Sequence, residues 1–205
     1  RESQQLIADT QQANRVLAEM TAANLKQSLD EVILMGTELA KRTELSPHWT
    51  PECNRLLADF KQLHVGFSAA SFTDAEGIHR CSSNAGDKPP APTVLTDTEW
   101  FQRIKAEKRP VISQPYLERI LKTWLVVVAA PVLGVDGNLR GTVNLVLSLD
   151  QLGSTLSGVR LPEHAFITVL DSEGTIVTRS TDVQKWVGKN LKGTGLVDIA
   201  MREHD

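Results

Sequence analysis

The chain has 205 residues, of which 41% are apolar and 23% are charged, and this balance is typical of an ordinary globular protein. The formal net charge is −3 and basic residues are interspersed with acidic ones, so the chain lacks the basic stripe of a nucleic-acid-binding protein. The longest apolar stretch, Leu125 to Leu133, is too short to cross a bilayer, and no transmembrane or signal segment is predicted.

Residues 1–45 are predicted to form one long helix. From Arg1 to Glu44 there is no proline, Gly36 is the single glycine, and apolar residues recur every three or four positions. At 1.5 Å per residue this helix would be about 60 Å long, so we expect it to act as a spine. Its apolar side either packs entirely into the core or also forms a homodimer seam along part of its length.

A second helix is predicted from Pro51 to Leu63, because Thr50 is a favourable N-cap and proline suits the first helical position. Farther along, Thr96 and Glu99 match a capping box. This motif predicts a helix over 97–107 with Trp100, Phe101 and Ile104 on one side.

Alternating apolar residues and turn signals predict five strands in the first two thirds of the chain. The predicted strands are 65–72, 78–82, 111–116, 123–133 and 139–149. The last two are joined by a hairpin turn at Asp136-Gly137. Five antiparallel strands with packed helices make a PAS-like α+β domain.

The strand and turn that end in Asp74-x-Glu-Gly77 recur as Asp171-x-Glu-Gly174, roughly a hundred residues later. Both turns need glycine where the backbone adopts a positive φ. A repeat at this spacing predicts tandem copies of one small fold. The second copy supplies only two strands and two short helices, which are too few to bury a stable core.

Short motifs follow one another in a fixed order from Gly66 to Leu191. They are Asp74-x-Glu76-Gly77, Thr96-Asp97-Thr98-Glu99-Trp100-Phe101, Ala129-Ala130-Pro131-Val132, Asp136-Gly137, Leu147-Ser148-Leu149-Asp150-Gln151-Leu152, Asp171-Ser172-Glu173-Gly174 and Val187-Gly188-Lys189-Asn190-Leu191. Together with the long helix they resemble the double Cache sensor domains of bacterial membrane receptors, including the histidine kinases of two-component systems and diguanylate cyclases.

The resemblance implies a domain order and a location. Residues 1–45 would be the spine helix, 46–155 a membrane-distal PAS-like Cache domain, and 156–205 the incomplete start of a membrane-proximal one. The full-length protein would be anchored in the inner membrane, with this portion in the periplasm. An output domain such as a kinase or cyclase would lie outside this sequence.

The resemblance also bears on the two cysteines, Cys53 and Cys81. The oxidising compartment that it implies, and a similar pair in related receptors, favour a disulfide. The alternative is two buried free thiols. Neither a metal site nor a cofactor is predicted, since two distant thiols with His79 nearby do not match tetrahedral ligand spacing.

In a PAS-like domain a small molecule would bind between the sheet and the segments that cross it, here 84–107 and 111–123. The candidate ligand-binding residues are Trp100, Arg103, Tyr116, Glu118 or Arg119, and Asn144. Each also has an ordinary structural role open to it. Asn144 is a polar amide in an apolar strand, and either its neighbours or a ligand must satisfy it. Thr98 stands where related receptors often carry a carboxylate-binding arginine, which disfavours the amino-acid-binding subgroup.

Two functions remain open. In the first, the distal domain binds an unidentified small molecule and passes a conformational change along the spine helix. In the second, it is a dimerisation or partner-protein platform with no small-molecule ligand. Catalysis by this part of the protein is not expected, because the histidines are scattered and no nucleophile or paired-carboxylate motif occurs.

Overall fold

The computed structural model describes residues 2–42, 45–46, 48–118, 122–152, 161 and 163–202. The chain divides into two compact units, one formed by Val32–Leu152 and the other by Arg1–Glu31 together with Gly153–Asp205. Each unit combines helix with antiparallel strands, so the predicted α+β class is confirmed.

The predicted N-terminal helix is present as α1, Glu2–Leu39. Its 38 residues correspond to roughly 57 Å. Ion pairs one turn apart, such as that of Lys26 with Asp30 at 2.6 Å, support its exposed side. The helix ends five residues earlier than the predicted Glu44, and its last turns, from Val32, belong to the larger unit.

The second helix, α2, spans Pro51–Leu63 and matches the prediction. The Thr50 hydroxyl oxygen accepts a hydrogen bond from the Cys53 amide at 3.2 Å, and Pro51 occupies the first turn, where its missing N–H is not needed. The helix packs against the first two strands of the larger unit.

All strands of the larger unit form one antiparallel sheet. They are β1 (Phe67–Asp74), β2 (His79–Ser82), β3 (Val111–Ile112), β4 (Tyr116–Glu118), β5 (Thr123–Leu133) and β6 (Leu139–Ser148). Their order is β2-β1-β6-β5-β3, and β4 also pairs with β5. The sheet therefore has six strands, where the sequence predicted five.

The extra strand arises because the predicted strand 111–116 is interrupted. Pro115 has no amide hydrogen to donate to a neighbouring strand. Before it, the Ser113 hydroxyl takes over part of the ladder by accepting from the Val127 amide at 2.8 Å. The Ser113 amide also donates to the Val127 carbonyl at 2.8 Å, so the chain leaves β5 after Ser113 and pairs with it again from Tyr116.

Helices cover both faces of this sheet. On one face α1 approaches closely, because a Cβ added at Gly36 would lie 3.4 Å from Ala130 Cβ and 3.5 Å from Leu145 Cδ1. On the other face lies α3, Glu99–Glu107, whose inward residues are those predicted.

The predicted capping box of α3 is wrong. Thr98, not Thr96, is the N-cap, and no side chain caps the helix. The Thr98 amide and hydroxyl both donate to the Leu95 carbonyl, at 3.0 and 2.7 Å. This turn delays the start of the helix, and the Thr96 carbonyl instead accepts from the Gln102 side chain.

The smaller unit contains a two-stranded sheet. Its elements after α1 are β7 (Thr168–Leu170), β8 (Ile176–Arg179), α4 (Val183–Trp186) and α5 (Gly195–Arg202). The repeat predicted from sequence is present at the hairpins. Gly77 and Gly174 have φ of 81° and 79°, and Asp74 and Asp171 each accept two backbone amide hydrogen bonds through Oδ1.

Candidate functional site

Polar side chains cross three neighbouring strands of the larger unit, and we call them the polar row. Its members are His79 on β2, Ser71 and Thr73 on β1, and Thr142 and Asn144 on β6. In the antiparallel register Thr73 stands opposite both His79 and Thr142, and Ser71 stands opposite Asn144. Partners opposite each other point to the same face of a sheet, so the four side chains on β1 and β6 share one face, while His79 pairs with Thr73 next to a β-bulge.

The polar row is only partly satisfied by its own hydrogen bonds. The Asn144 Nδ2 donates to Thr73 Oγ1 at 2.9 Å and to Ser71 Oγ at 3.3 Å. Asn144 Oδ1, Thr142 Oγ1 and His79 Nε2 are buried and have no partner among the described residues. If the carboxamide of Asn144 is turned over, its other end becomes the unpaired one, so one polar end faces away from its neighbours in either orientation.

An apolar cluster adjoins the polar row beneath α3. It consists of Trp100, Phe101, Ile104, Val111, Val127 and Ala129, with Leu95 and Val146 packed against it. Ala129 stands opposite Asn144 in the β5–β6 register, so the cluster and the polar row meet on one face. The Trp100 and Phe101 rings pack edge to face with centroids 5.9 Å apart. This face therefore combines an apolar part with a part that carries hydrogen-bonding side chains.

Among the described residues Asp74 is the one buried charge, and it is already compensated. Its Oδ1 accepts from the Glu76 and Ile78 amides at 3.1 and 2.8 Å, and its Oδ2 accepts from Arg80 Nε at 2.5 Å. Burial lowers the pKa of His79, and a hydrogen bond with the Cys81 backbone only partly opposes that shift. His79 is consequently neutral at pH 7, and the polar row carries no charge.

Two buried links hold α2 to β2 and to the loop that follows. Cys53 and Cys81 form the predicted disulfide, with an S–S distance of 2.04 Å. Beside it, Asn54 Nδ2 donates to the Gly86 and Lys88 carbonyls, each at 2.7 Å, and its Oδ1 accepts from the buried Ser82 amide at 2.9 Å. Asn54 was not predicted from sequence. The one signal for it was its position next to Cys53 on the inner side of the helix, where a polar side chain needs a partner.

The structure brings together two of the predicted ligand-binding residues. Trp100 and Asn144 belong to the same face, in the apolar cluster and in the polar row. Arg103 instead pairs with Glu99 at 3.1 Å on the exposed side of α3. Arg119 lies outside the described residues.

Tyr116 and Glu118 lie at a different point of the same sheet. Tyr116 stands opposite Leu125 on β5, whereas Asn144 stands opposite Ala129, a separation along β5 of roughly 13 Å at 3.3 Å per residue. Burial and the charge of Glu118 both raise the pKa of Tyr116, so its phenol stays protonated at neutral pH.

The Cache domain model matches residues 3–203 of the chain. The chain belongs to the Cache domain family. The predicted relationship to double Cache sensor domains is thereby confirmed, and Cache domains of this kind are ligand-binding modules of receptors rather than catalytic domains.

Relatives of this Cache domain include a methyl-accepting chemotaxis protein, PscA of Pseudomonas syringae pv. tomato. It is 20% identical over 191 residues, which cover 93% of this chain and 29% of that protein. The chain thus spans less than a third of this relative.

Solved structures share the fold. The extracellular domain assigned to a histidine kinase superposes with a TM-score of 0.78 at 20% identity, covering 96% of this chain and 80% of that one. The ligand-binding domain of the Pseudomonas fluorescens chemoreceptor CtaA, solved with L-serine, has a TM-score of 0.70 at 22% identity, covering 90% and 78%. That of Pseudomonas aeruginosa PctB, solved with L-Arg, has a TM-score of 0.67 at 21% identity, covering 86% and 67%.

None of the helices in the described part of this Cache domain is both long and apolar enough to span a membrane. At identities near one fifth the neighbours establish the shared fold. The ligand has to be argued from the residues of this chain.

Proposed function

We propose that this Cache domain is the extracytoplasmic sensing region of a membrane-bound receptor and binds a small molecule in the unit Val32–Leu152. The observation that carries the proposal is the sheet face that α3 partly covers, where the buried Asn144 Oδ1 and Thr142 Oγ1 have no partner among the described residues and lie beside an apolar cluster. Binding sites for small molecules characteristically combine an apolar lining with a few placed polar groups.

We place the membrane-distal Cache domain at residues 46–155, with the spine helix at 1–45 and the start of an incomplete membrane-proximal domain at 156–205. The two-stranded sheet of the smaller unit supports this division, because two strands need further partners to form a stable core. The disulfide supports an oxidising, periplasmic location. The full-length protein would be anchored in the inner membrane and carry an output domain.

The signal would pass along α1. This helix contributes to both compact units, and in the larger one it packs against β5 and β6 at Gly36. A ligand that binds one arrangement of the sheet and helix better than another shifts the population between them. Relatives that are chemotaxis receptors and a histidine kinase support such a role.

A second candidate function, a dimerisation platform, is favoured by one observation. The N-terminal part of α1 presents an apolar face lined by Asp9, Gln12, Ala13, Val16, Leu17 and Met20. Met20 is 60% exposed and Val16 is 43% exposed, so two large apolar side chains one turn apart on this face are open to water. This homodimer seam and a ligand site are compatible with each other.

A thermal-shift screen with a metabolite library tests the sensing function. A ligand present at 100 times its Kd should stabilise the domain by about 2.7 kcal/mol. Trp100→Phe, which keeps an aromatic ring in the apolar cluster, should weaken that shift, while Trp186→Phe in the smaller unit should leave it unchanged. A chain that no metabolite stabilises, but that self-associates through α1, would point to the platform instead.

A further inference from the structure

We propose that the ligand of this face is an uncharged molecule with one hydrogen-bonding edge and one apolar surface, such as a neutral heterocycle or cyclic amide, held through Asn144 and Thr142. This inference rests on the proposed function, because it names the ligand class for the same site. It excludes free amino acids, dicarboxylates and polyamines.

The first argument is the unpaired polar atoms. Asn144 is 2% exposed and Thr142 is fully buried, and one polar atom of each has no partner among the described residues. The two residues are two positions apart on β6, so both side chains project from the same face. Buried polar atoms are costly to leave unpaired, and a guest with complementary N–H, O–H or carbonyl groups would satisfy them.

The second argument is charge. Asp74 is the one buried acidic or basic residue among the described residues, and it already accepts from two amides and from Arg80. Arg103 and Glu99 neutralise each other outside the face. A ligand carboxylate or ammonium would therefore meet no free buried counter-charge among the described residues, and burying a charge in that way is far more costly than burying a neutral polar group.

The third argument is the shape of the neighbouring surface. Ala129 stands opposite Asn144, and Trp100 belongs to the same apolar cluster as Ala129. Ala129 is a small residue, so it restricts a flat guest less than a large side chain would, and the indole ring offers an apolar surface for the guest to pack against. A ligand whose polar edge bonds Asn144 and whose ring packs among these apolar residues would be a neutral heterocycle.

Two isosteric variants make a matched test. Thr142 and Thr178 are both fully buried, and each has an unpaired hydroxyl, but Thr178 lies in the smaller unit. Thr142→Val and Thr178→Val therefore remove the same group from different places. Without ligand, neither should lower the melting temperature, since each removes an unpaired buried hydroxyl.

The experiment is a thermal-shift screen of the whole chain at pH 7 with two sets of probes. Uracil, hypoxanthine and nicotinamide represent uncharged rings, and the L-amino acids, succinate and putrescine represent charged molecules. We expect stabilisation by an uncharged ring only. Calorimetry with that probe should give a Kd about 10-fold weaker in Thr142→Val and in Asn144→Leu, and an unchanged Kd in Thr178→Val.

Each outcome decides between distinct conclusions. Stabilisation by an amino acid, succinate or putrescine would overturn the ligand class and leave the sensing function standing. Binding of an uncharged ring that neither Asn144→Leu nor Thr142→Val weakens would overturn the assigned contacts. Stabilisation by none of these probes would overturn this inference, and the sensing function itself would fail only if the full metabolite library also gave no shift.

Discussion

Replacing Asn54 with alanine tests how the loop after β2 is held. The substitution removes three hydrogen bonds from a side chain that is 1% exposed. The Ser82 amide is left buried without an acceptor, at about 1–3 kcal/mol, while the Gly86 and Lys88 carbonyls lie on exposed residues and can bind water, at about 0.5–1 kcal/mol each. The sum is roughly 3 kcal/mol, or about 10 °C in the melting temperature of a unit of this size.

Urea denaturation followed by tryptophan fluorescence measures this loss, and hydrogen exchange across residues 83–88 shows whether the loop is released. Asn54→Asp is the sharper variant, because it keeps the acceptor for Ser82 but turns an oxygen toward two carbonyl oxygens. It should be at least as destabilising as the alanine variant. Asp87→Ala, at an exposed side chain of the same loop, should cost less than about 0.5 kcal/mol. An aspartate variant as stable as the wild type would refute the reasoning.

Three further predictions concern the same unit. Replacing Cys53 and Cys81 by alanine together should lower the free energy of unfolding by about 3–4 kcal/mol in urea titrations, because the bridge closes a loop with a sequence separation of 28. Gly141→Ala should cost about 3 kcal/mol or more by the same assay, since its Cβ would collide with the Thr73 carbonyl oxygen. Burial lowers the pKa of His79 below 6.5 in the folded state, so the unfolded chain takes up a proton more readily at this residue. The contribution of His79 to the free energy of unfolding is therefore present above pH 6.5 and is lost as the pH drops below it. His79→Gln should flatten that decline between pH 7 and 5.

Each of these has a contradicting result. Gly195→Ala is the matched control for the glycine, since an added Cβ there meets nothing within 4 Å, and equal losses at both sites would show that crowding is not the cause. If the free energy of unfolding of the double cysteine variant is within about 1 kcal/mol of the wild-type value, the disulfide does not restrict the unfolded chain as expected, because that chain is already compact without it. A pH profile that is identical in wild type and His79→Gln would assign the decline to other groups.

Local chemistry made much of the fold predictable. The turn at Gly77 needs a positive φ, and Pro51 after Thr50 marks a helix start in almost any context. These signals depend on residues within one turn of each other, so the hairpins, α2 and the recurrence of one turn geometry at Gly77 and Gly174 followed from sequence. Trp100 and Asn144 became candidates for a similar reason, since an aromatic residue and an amide are conspicuous within their own elements, and their role in binding stays a prediction.

What escaped prediction depends on distant partners. Thr96 and Glu99 satisfied a local capping rule, but the turn between Leu95 and Thr98 took precedence. The unpaired atoms of Thr142 and His79 become visible only when β2, β1 and β6 are placed in register. The three hydrogen bonds of Asn54 reach 28 to 34 residues along the chain, which no periodicity can indicate.

The sheet itself is the shortest physical route from the polar row to α1. Asn144 and Leu145 are neighbours on β6 and point to opposite faces, so a guest that moves Asn144 also moves Leu145. On that second face α1 comes close to β5 and β6 at Gly36, where an added carbon would make ordinary contact with Ala130 and Leu145. Close packing of this kind allows a displacement of the sheet to reach the helix. The loop after β2, in contrast, is held by Asn54 and the disulfide, so under the proposed sensing function a movement would reach the helix through β6 rather than through this loop.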